Sequence, residues 1–381
     1  MSKVEELLAK YNSNGISTIK LADILDYEQP SKYIVSSSDY DDNYDIPVLT
    51  AGQSFILGYT DEKDGVYKAS KNNPTIIFDD FTTGHHWVDF DFKIKSSAMK
   101  MLRLKNNKSL LRYVFHSMAL INYVPTEHSR QWISKYSQFE IPIPHIKVQE
   151  EIVKILDSFT NLIDALNEEL SLRQKQFEYY REKLLTFDDK SLLKPINEIG
   201  TLFRGNGLQK KDFVEEGVGC IHYGQIYTKL GFSLSKPLTY VTKVTAKPLT
   251  KVRKGDLVIA CTSENIEDVC KSVVWEGEEE IVTGGHACVL RHNENPRYIG
   301  YFFQTHQFFM QKKQYAYGAK VIDIKTEKLG EILIPIPSLS IQQSIVEKLD
   351  AFESLIASLK EEIALRQKQY EYYREKLLTF D

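Results

Sequence analysis

Cysteine is scarce in this chain of 381 residues: there are four, Cys220, Cys261, Cys270 and Cys288, all in the second half. So few cysteines do not make a disulfide framework, and the cytoplasm is the simplest compartment for the protein. Long apolar runs are also missing, since none approaches the roughly 18 residues that a membrane helix needs. The first residues form a charged, helix-like segment and not a signal peptide. A disulfide-stapled secreted domain and a membrane protein are therefore both excluded.

Net charge is small, at −4 from 48 basic and 52 acidic residues, but it is unevenly distributed. It is −1 for residues 1–138, −5 for 139–189, +5 for 190–330 and −3 for 331–381. Acidic residues are thus concentrated in two short segments, and the long segment between them is basic. A near-neutral average therefore does not exclude nucleic acid as a partner.

An internal repeat organises the chain. Residues 178–188, EYYREKLLTFD, recur unchanged at 371–381, an offset of 193. Over residues 142–188 and 335–381 the two copies are identical at 30 of 47 positions. So high an identity means that one surface is present twice, which indicates that the same partner is bound twice.

The segments before the two copies are related more faintly. Residues 96–103 resemble 284–291 at an offset of 188, and the same offset matches Tyr113 and Phe115 to Tyr301 and Phe303. Near the start of each segment, residues 20–25 resemble residues 198–203. The chain is therefore interpreted as domain, helix, domain, helix, with two domains that have diverged and two helices that have not. Divergent domains suggest two different targets.

Both repeat copies carry apolar residues at alternating spacings of four and three, which predicts two helices that each need a partner helix. The first would span residues 150–187, 38 residues, and would be about 57 Å long. Arg173 of the first helix and Arg366 of the second either fix the register from within the seam or reach out to solvent. The side chains predicted to line the seam or to dock a partner are Arg173, Tyr180, Leu184, Arg366, Tyr373 and Leu377.

The fold class is predicted as α+β, with two globular domains separated by two long helices that form an antiparallel coiled coil in a pseudo-two-fold repeat. The predicted boundaries are 1–141 for the first domain, 142–189 for the first helix, 190–334 for the second domain and 335–381 for the second helix. Strand-like runs lie at 46–51, 75–78, 88–94, 256–261, 272–275 and 287–290, and helical stretches at about 110–121 and 298–312.

Signatures of catalysis are absent. No G-x-x-x-x-G-K-[ST] phosphate loop occurs, and Gly205-Asn206-Gly207 lacks the third glycine of a dinucleotide-binding turn. A zinc site is the best chemical alternative, because Cys220-x-His222 and His286-x-Cys288 are ligands that zinc accepts. These pairs are equally typical of partly buried positions on strands, and no C-x-x-C spacing accompanies them. We therefore predict no catalytic centre, no metal site and no cofactor.

Clusters of basic residues beside histidine and aromatic residues indicate nucleic-acid binding. Lysine and arginine neutralise phosphates, while arginine and histidine also reach base edges. A single lysine is more often a solvated surface charge, so the prediction depends on the clusters. The candidate DNA contacts are His85, His86, Lys93, Lys95, Lys100, Arg103, Lys105 and Lys108 in the first domain, and Lys251, Arg253, Lys254, His286, Lys312, Lys313 and Lys320 in the second.

Three further features point to a known family. Ile-Pro-Ile-Pro occurs at 141–144 and 334–337, Gln149 and Gln342 follow seven residues after the first proline, and each segment continues into a long helix ending Arg-Glu-Lys-Leu-Leu. In these features the chain resembles the DNA-specificity (S) subunit of type I restriction–modification enzymes. Residues 284–290 and 318–322 also look like that family's target-recognition domains, whereas the first domain has Ser-Ser at 96–97 where the second has Gly-Gly at 284–285.

The resemblance implies a non-catalytic subunit with two target-recognition domains held apart by an antiparallel pair of helices. Each domain would read one half of a bipartite site in double-stranded DNA. The helices would set the spacing and dock two methyltransferase (M) subunits, and restriction (R) subunits would complete the enzyme. The alternative is a coiled-coil spacer protein that presents two protein- or glycan-binding domains, and salt-sensitive retention on duplex DNA distinguishes the two.

Overall fold

The structure, a computed structural model, describes residues 3–51 and 54–380. The chain divides into two compact units, one made of Met1–Asn167 with Glu361–Asp381 and the other of Glu168–Lys360. Each unit contains sheets and helices together, which confirms the predicted α+β class. The boundaries predicted from the repeat divide the chain at other points and stay a prediction.

The first unit contains a globular α+β domain of two main sheets. Its helices are α1 (Lys3–Tyr11), α2 (Leu21–Ile24) and α3 (Leu111–Met118), followed by the long α4 (Ile146–Leu184), which continues into the second unit. Its strands are β1 (Ser17–Lys20), β2 (Leu25–Glu28), β3 (Ile46–Leu49), β4 (Ile56–Thr60), β5 (Thr75–Asp79), β6 (His85–Val88), β7 (Lys93–Ile94), β8 (Met99–Leu104) and β9 (Glu140–Ile143).

One sheet of the first unit has the order β2-β8-β5-β6 and the other β4-β3-β7, while β1 pairs with β9. The apolar run Ile76, Ile77 and Phe78 of β5 is fully buried, because the sheet is covered on both faces. The predicted strand at residues 88–94 is wrong as a single strand: β6 ends at Val88 and β7 begins at Lys93. A separate apolar cluster joins α1 and α3 to the long helices.

The second unit repeats this plan with more strands. Its helices are α5 (Ile196–Ile199), α6 (Tyr223–Thr228), α7 (Lys243–Ala246), α8 (Pro296–Phe302), α9 (His306–Tyr315), α10 (Thr326–Gly330) and the long α11 (Leu339–Leu378), which continues into the first unit. Its strands are β10 (Leu193–Pro195), β11 (Gly200–Arg204), β12 (Phe213–Val214), β13 (Val218–Ile221), β14 (Ser233–Leu234), β15 (Thr239–Val241), β16 (Thr250–Val252), β17 (Leu257–Ala260), β18 (Thr262–Ser263), β19 (Ser272–Trp275), β20 (Ile281–Thr283), β21 (Ala287–His292), β22 (Ile322–Asp323) and β23 (Leu333–Pro335).

Two five-stranded sheets form the second unit, in the orders β11-β21-β17-β19-β14 and β12-β15-β13-β20-β16. Strand β18 pairs with β22, and β10 with β23. The helical stretch predicted at residues 298–312 is two helices, because Asn295 caps α8 and Thr305 caps α9 with side-chain hydrogen bonds. The main core lies between the first sheet and α8, α9 and the long helices.

The two long helices predicted from the heptad spacing are present, with 39 residues in α4 and 40 in α11. Helix α4 begins four residues before the predicted start, because the heptad series of apolar residues begins only at Ile152, after the helix has already formed its first turns. Within the first unit, Phe159 of α4 stacks on Tyr373 of α11, and within the second unit Tyr180 of α4 stacks on Phe352 of α11. Pairing of the two helices as an antiparallel coiled coil along their whole length stays a prediction.

Equivalent hydrogen bonds identify which residues of the two units correspond. The Tyr113 hydroxyl donates to the Pro142 carbonyl at 2.9 Å, and the Tyr298 hydroxyl donates to the Pro335 carbonyl at 2.8 Å. The two prolines are related by the offset of 193, so Tyr113 corresponds to Tyr298, and the predicted match to Tyr301 is wrong by three residues. The reason is a connection between strand and helix that is three residues shorter in the second unit, 293–295 against 105–110.

A second predicted match is wrong by the same amount. The backbone N–H of Leu21 donates to the Phe139 carbonyl, and that of Ile196 donates to the Ile332 carbonyl. Phe139 and Ile332 are again 193 residues apart, so Leu21 corresponds to Ile196 rather than to Ile199. The match of residues 96–103 to 284–291 is confirmed, because β8 and β21 occupy the same place in their sheets.

One buried glutamine in each unit fixes the domain to the start of its long helix. The Gln149 side chain accepts hydrogen bonds from the Leu110 backbone N–H at 3.0 Å and the Ser109 hydroxyl at 2.6 Å, and it donates to the Pro144 carbonyl at 2.8 Å. Gln342 makes the equivalent bonds, accepting from the backbone N–H of Asn295 at 3.0 Å and donating to the carbonyl of residue 337 at 2.9 Å. Both glutamines are fully buried. The same two residues carried the family resemblance, and the structure supplies the physical reason for them.

Arginines hold each domain to its helix about two turns further along. Arg112 of α3 lies 2.7 Å from the Asp157 carboxylate of α4, and Arg297 of α8 lies 2.9 Å from Asp350 of α11. Arg297 also contacts Glu276 and Glu353, at 2.8 and 3.3 Å. Two carboxylates of α11 thus anchor the second domain, while Glu276 holds Arg297 from within the domain.

Candidate nucleic-acid interface

One edge of the second unit brings together polar side chains from three strands and a loop. Strand β18 follows directly from the buried strand β17, and its pairing with β22 places Thr262 opposite Asp323. The Thr262 hydroxyl donates to the Asp323 carboxylate at 2.7 Å. The same hydroxyl lies 3.0 Å from Nδ1 of His286, in the loop before β21. Residues far apart in sequence therefore meet through one threonine.

Arg204, at the end of β11, completes this group of side chains. One of its Nη atoms lies 3.0 Å from Oδ2 of Asp323, and the other donates to the Ile324 carbonyl at 3.1 Å. We call Arg204, Thr262, His286 and Asp323 the edge network. Each of its polar contacts is within hydrogen-bond distance, so the four side chains are held in fixed positions.

Aromatic and histidine side chains surround the edge network. The Tyr223 ring lies 5.0 Å from the exposed His286 ring and 4.5 Å from the His222 ring, centroid to centroid. Burial lowers the pKa of His222, and the nearby positive charge of Lys210 and the His286 ring lower it further. Tyr317 is half exposed and bonds through its hydroxyl to Asp323. The edge thus presents hydrogen-bonding groups and ring faces together, the groups that contact bases.

Glycines bring the loops of this edge together. A Cβ atom on Gly284 would lie 2.2 Å from Cβ of Leu208, so only glycine allows the loops at 205–208 and 284–286 to approach so closely. His286 itself has a φ of 69°, in the left-handed region that side chains other than glycine rarely adopt. The close packing behind it and the contact with Thr262 support this conformation.

The first unit has a related edge with different side chains. The Gln131 backbone N–H donates to the Asp80 carbonyl at 2.8 Å, as that of Ile324 does to Cys261 in the second unit. Beside this contact, Phe81 stacks on His128 at 4.6 Å. The residues on the two edges differ although the backbones correspond, which is expected if the two domains recognise different targets.

Three of the predicted DNA contacts are buried lysines with partners inside the protein. Lys93 lies 2.8 Å from Glu62 and donates to the Asp64 carbonyl, and its ammonium group lowers the pKa of Glu62 to about 2. Lys100 lies 3.1 Å from the buried Asp80. Lys312 donates to two backbone carbonyls, and burial lowers its pKa. These three residues are unsuited to contact DNA phosphates, and their assignment is corrected to a structural one.

Other predicted contacts lie at the surface but are held by neighbours. Lys105 donates to the Ala22 carbonyl at 2.7 Å and Lys251 to the Ala246 carbonyl at 2.8 Å. Arg253 pairs with Glu280 at 3.0 Å, and Lys254 pairs with Glu278. Their positive charge is therefore partly engaged within the domain.

The remaining predicted contacts of the first domain have mixed settings. Lys95 donates to the Ser38 hydroxyl at 2.8 Å, and Arg103 lies over the Tyr67 ring. Burial lowers the pKa of the half-buried His85 to about 4, so its imidazole is neutral. His86 packs against Phe55 at 4.7 Å. Of the remaining predicted contacts, Lys108, Lys313 and Lys320 are exposed.

The residues predicted for the helix seam divide into two kinds. Tyr180 and Tyr373 make the ring contacts described above, and Leu184 and Leu377 pack against the apolar clusters of their own units. Arg173 bonds to Glu169, and Arg366 to Glu362, each one turn back on the same helix and partly exposed. The arginines therefore reach outwards, one of the two alternatives left open by the sequence.

An exposed apolar stripe on the helices was missed from the sequence. Leu172 and Tyr179 of α4 are 66% and 58% exposed, and Leu365 and Tyr372 of α11 are 57% and 59% exposed. Each pair is spaced by seven residues and lies on one helix face. Both stripes can be found from the sequence by assigning heptad positions outside the seam, because the same residue types recur there in the two copies.

The zinc ligands considered from the sequence do not come together. Cys288 is fully buried beside Cys261, whereas His286 is exposed. Over residues 3–51 and 54–380, no three His, Cys, Asp or Glu side chains are grouped to hold a metal ion. In that same part of the chain, no helix combines the length and apolar character needed to cross a membrane.

Comparison with known proteins agrees with this architecture. The family model for the type I restriction modification DNA specificity domain matches the chain twice, over residues 14–172 and 193–365. The specificity subunit of the Escherichia coli type I restriction enzyme EcoR124I/EcoR124II is 40% identical to this chain in an alignment of 403 residues, gaps included. The alignment covers 100% of this chain and 97% of that protein. A putative specificity subunit of Haemophilus influenzae is 29% identical and covers 86% of each chain.

Solved structures show the same fold at low sequence identity. The S subunit of a type I restriction–modification system from M. genitalium has a TM-score of 0.59 at 15% identity, covering 96% of this chain and 97% of that one. A chain from a study of complex assembly and conformational transition in the type I R-M system has a TM-score of 0.53 at 16% identity. With two matches to the family model and a full-length relative, the chain belongs to the type I restriction–modification DNA specificity family.

Proposed function

We propose that this chain confers DNA sequence specificity on a type I restriction–modification enzyme, and that it has no catalytic activity of its own. The observation that carries the proposal is the contrast between the two units. Equivalent hydrogen bonds recur at corresponding positions of the two units, while the side chains on their loop edges differ. Family membership supports this function over the alternative of a spacer that presents protein- or glycan-binding domains.

Each domain reads one half of a bipartite site in double-stranded DNA. The edge network of the second domain and the Phe81–His128 edge of the first are the surfaces on which this reading depends. The second domain lies within the basic segment, which favours association with phosphates at that half. Lysines at the surface, such as Lys313 and Lys320, supply the contacts that do not depend on sequence.

The two long helices dock two methyltransferase (M) subunits and set the spacing between the half-sites. Support comes from the exposed stripes Leu172–Tyr179 and Leu365–Tyr372, which offer identical apolar surfaces. Restriction (R) subunits join this core to complete the enzyme, and the assembly acts in the cytoplasm. No cofactor is assigned to this chain, because the chemistry belongs to its partners.

Exchange of one domain tests the proposal. Residues 190–330 are replaced by the corresponding segment of another family member, and the chain is co-expressed with its M partner. Sequencing of methylated bases in genomic DNA then reads the recognised site. We expect one half-site to change and the other to persist. A change in both half-sites, or methylation without any sequence preference, would overturn the proposal.

A further inference from the structure

The edge network determines which nitrogen of His286 carries a proton. A threonine hydroxyl has one hydrogen, and the ionised carboxylate of Asp323 can only accept. The Thr262 hydroxyl therefore donates its hydrogen to Asp323, across 2.7 Å. It follows that the contact of 3.0 Å between Thr262 Oγ and His286 Nδ1 requires Nδ1 to donate.

Arg204 helps to fix the direction in which these hydrogen bonds are donated. Its guanidinium donates a hydrogen bond to Oδ2 of Asp323 at 3.0 Å, so the carboxylate accepts from Arg204 as well as from Thr262. Donation thus runs from His286 to Thr262 and from Thr262 to Asp323. In the neutral imidazole the other nitrogen, Nε2, is left as a hydrogen-bond acceptor.

The His286 ring is exposed and yet held in place. It packs against the Tyr223 ring at 5.0 Å, and the backbone at His286 is in the left-handed conformation directly after Gly284 and Gly285. An ordinary surface histidine rotates freely, whereas this one is fixed on one side by a ring and on the other by a hydrogen bond. Such fixation is what a base-reading side chain requires, because discrimination depends on placement within about 0.5 Å.

We propose that His286 is a specificity-determining residue of the second domain, and that its Nε2 accepts a hydrogen bond from the exocyclic amine of adenine or cytosine in the major groove. Only these two bases present a donor there, while guanine and thymine present acceptors at the equivalent place. Thr262, Asp323 and Arg204 are positioning residues, since they act through the imidazole. The inference deepens the proposed function and rests on it.

The test uses the full chain assembled with its M subunits and a library of duplexes with randomised sequence. The wild-type complex is expected to select a bipartite site with adenine or cytosine at one position of the half read by the second domain. His286→Ala should lower discrimination at that position roughly tenfold and leave the other positions unchanged. His306→Ala, which removes another exposed histidine of the same domain, should leave the whole site unchanged.

Thr262→Val distinguishes a role in base recognition from a purely structural role. Without an acceptor for Nδ1, the imidazole is free to carry its proton on Nε2 and to donate. The preferred base at the same position should then shift towards guanine or thymine. A duplex in which the amine-bearing base is replaced by an analogue without that amine should weaken binding of the wild type and leave His286→Ala unaffected.

The outcomes separate the two claims. An unchanged site for His286→Ala, or a uniform relaxation at all positions, overturns the assignment of His286 while the proposed function stands. A wild-type complex that selects no sequence overturns the proposed function, and the assignment with it. Because His286 is exposed, the unfolding midpoint of His286→Ala should match that of the wild type.

Discussion

Phe159 and Tyr373 stack on each other, with ring centroids 5.3 Å apart and planes inclined by 21°. They come from different copies of the internal repeat. The equivalent pair, Phe352 and Tyr180, stacks at 5.4 Å with the same inclination in the other unit. Each unit therefore takes one ring from each copy, so the near-identity of the two copies makes the two contacts alike.

Removal of one stacked ring should weaken one unit. Tyr373→Ala is expected to lower the free energy of unfolding by about 1 kcal/mol, because its aromatic pair with Phe159 is lost. Chemical denaturation measures the change. The control is Leu365→Ala, since Leu365 lies on the same helix and is 57% exposed. Equal destabilisation by the two variants would contradict the assigned contact.

The exposed stripes should bind the methyltransferase subunits independently. Leu172→Glu places a charge in the first stripe and Leu365→Glu in the second, and each is expected to remove one of the two M subunits because the charge loses its hydration on binding. Native mass spectrometry of the complex counts the subunits. Ser171→Glu, at the adjacent exposed position, should retain both. Loss of both subunits in a single variant would argue against two separate surfaces.

The buried glutamines should be costly to replace. Gln149→Leu leaves the Leu110 backbone N–H and the Ser109 hydroxyl without their acceptor, so we expect a loss of about 2–3 kcal/mol in the free energy of unfolding. Gln342→Leu should behave likewise. Gln343→Leu is the control, because that side chain is exposed. Similar denaturation midpoints for Gln342→Leu and Gln343→Leu would refute the structural role.

Acid should destabilise the first unit through two histidines. Burial lowers the pKa of His116, and it lowers that of His85 to about 4. The unfolded chain therefore binds protons more readily, and stability is lost as the pH falls from about 6.5 towards 4. Asp157, which faces His116 together with Arg112, Arg374 and the Tyr370 hydroxyl, has a lowered pKa and stays ionised through this range.

Urea denaturation at several pH values measures this loss. His116→Tyr, which introduces the residue found at the corresponding Tyr301, should show a shallower dependence on pH than the wild type. His85→Gln provides a second variant at a half-buried position where a side chain of similar size fits. Histidines of the second unit contribute equally to wild type and variants, so the difference isolates the first unit. An unchanged slope in both variants would disprove the prediction.

Lysines at the surface and in the interior should differ in their effect on DNA binding. Lys320→Ala is expected to reduce the slope of log K against log[salt] by about 0.9 if the residue meets one phosphate. Lys100→Met should leave that slope unchanged and lower stability instead, because the buried Asp80 loses its partner. Binding of the assembled complex to duplex DNA is titrated at several salt concentrations. A smaller slope for Lys100→Met would mean that Lys100 contacts a DNA phosphate and that its structural assignment is wrong.

The repeat and its 3.5-residue spacing predicted the long helices well, because a local period is visible in the sequence. The site was predicted less well. Lys93 and Lys100 look like other surface lysines, since their partners Glu62 and Asp80 are brought to them only by the folded sheets. Of the edge network, only His286 was predicted. Its other members are contributed by separate strands, and no spacing along the chain relates them.

Helix α11 crosses from one unit to the other, so the unit that begins the chain is also the one that ends it. Tyr370 and Leu378 lie in the core that contains Val4 and Val148. During synthesis residues 168–360 therefore emerge before residues 361–380, which the first unit needs for its core. Removal of residues 361–380 would consequently damage the domain formed by the residues that precede α4.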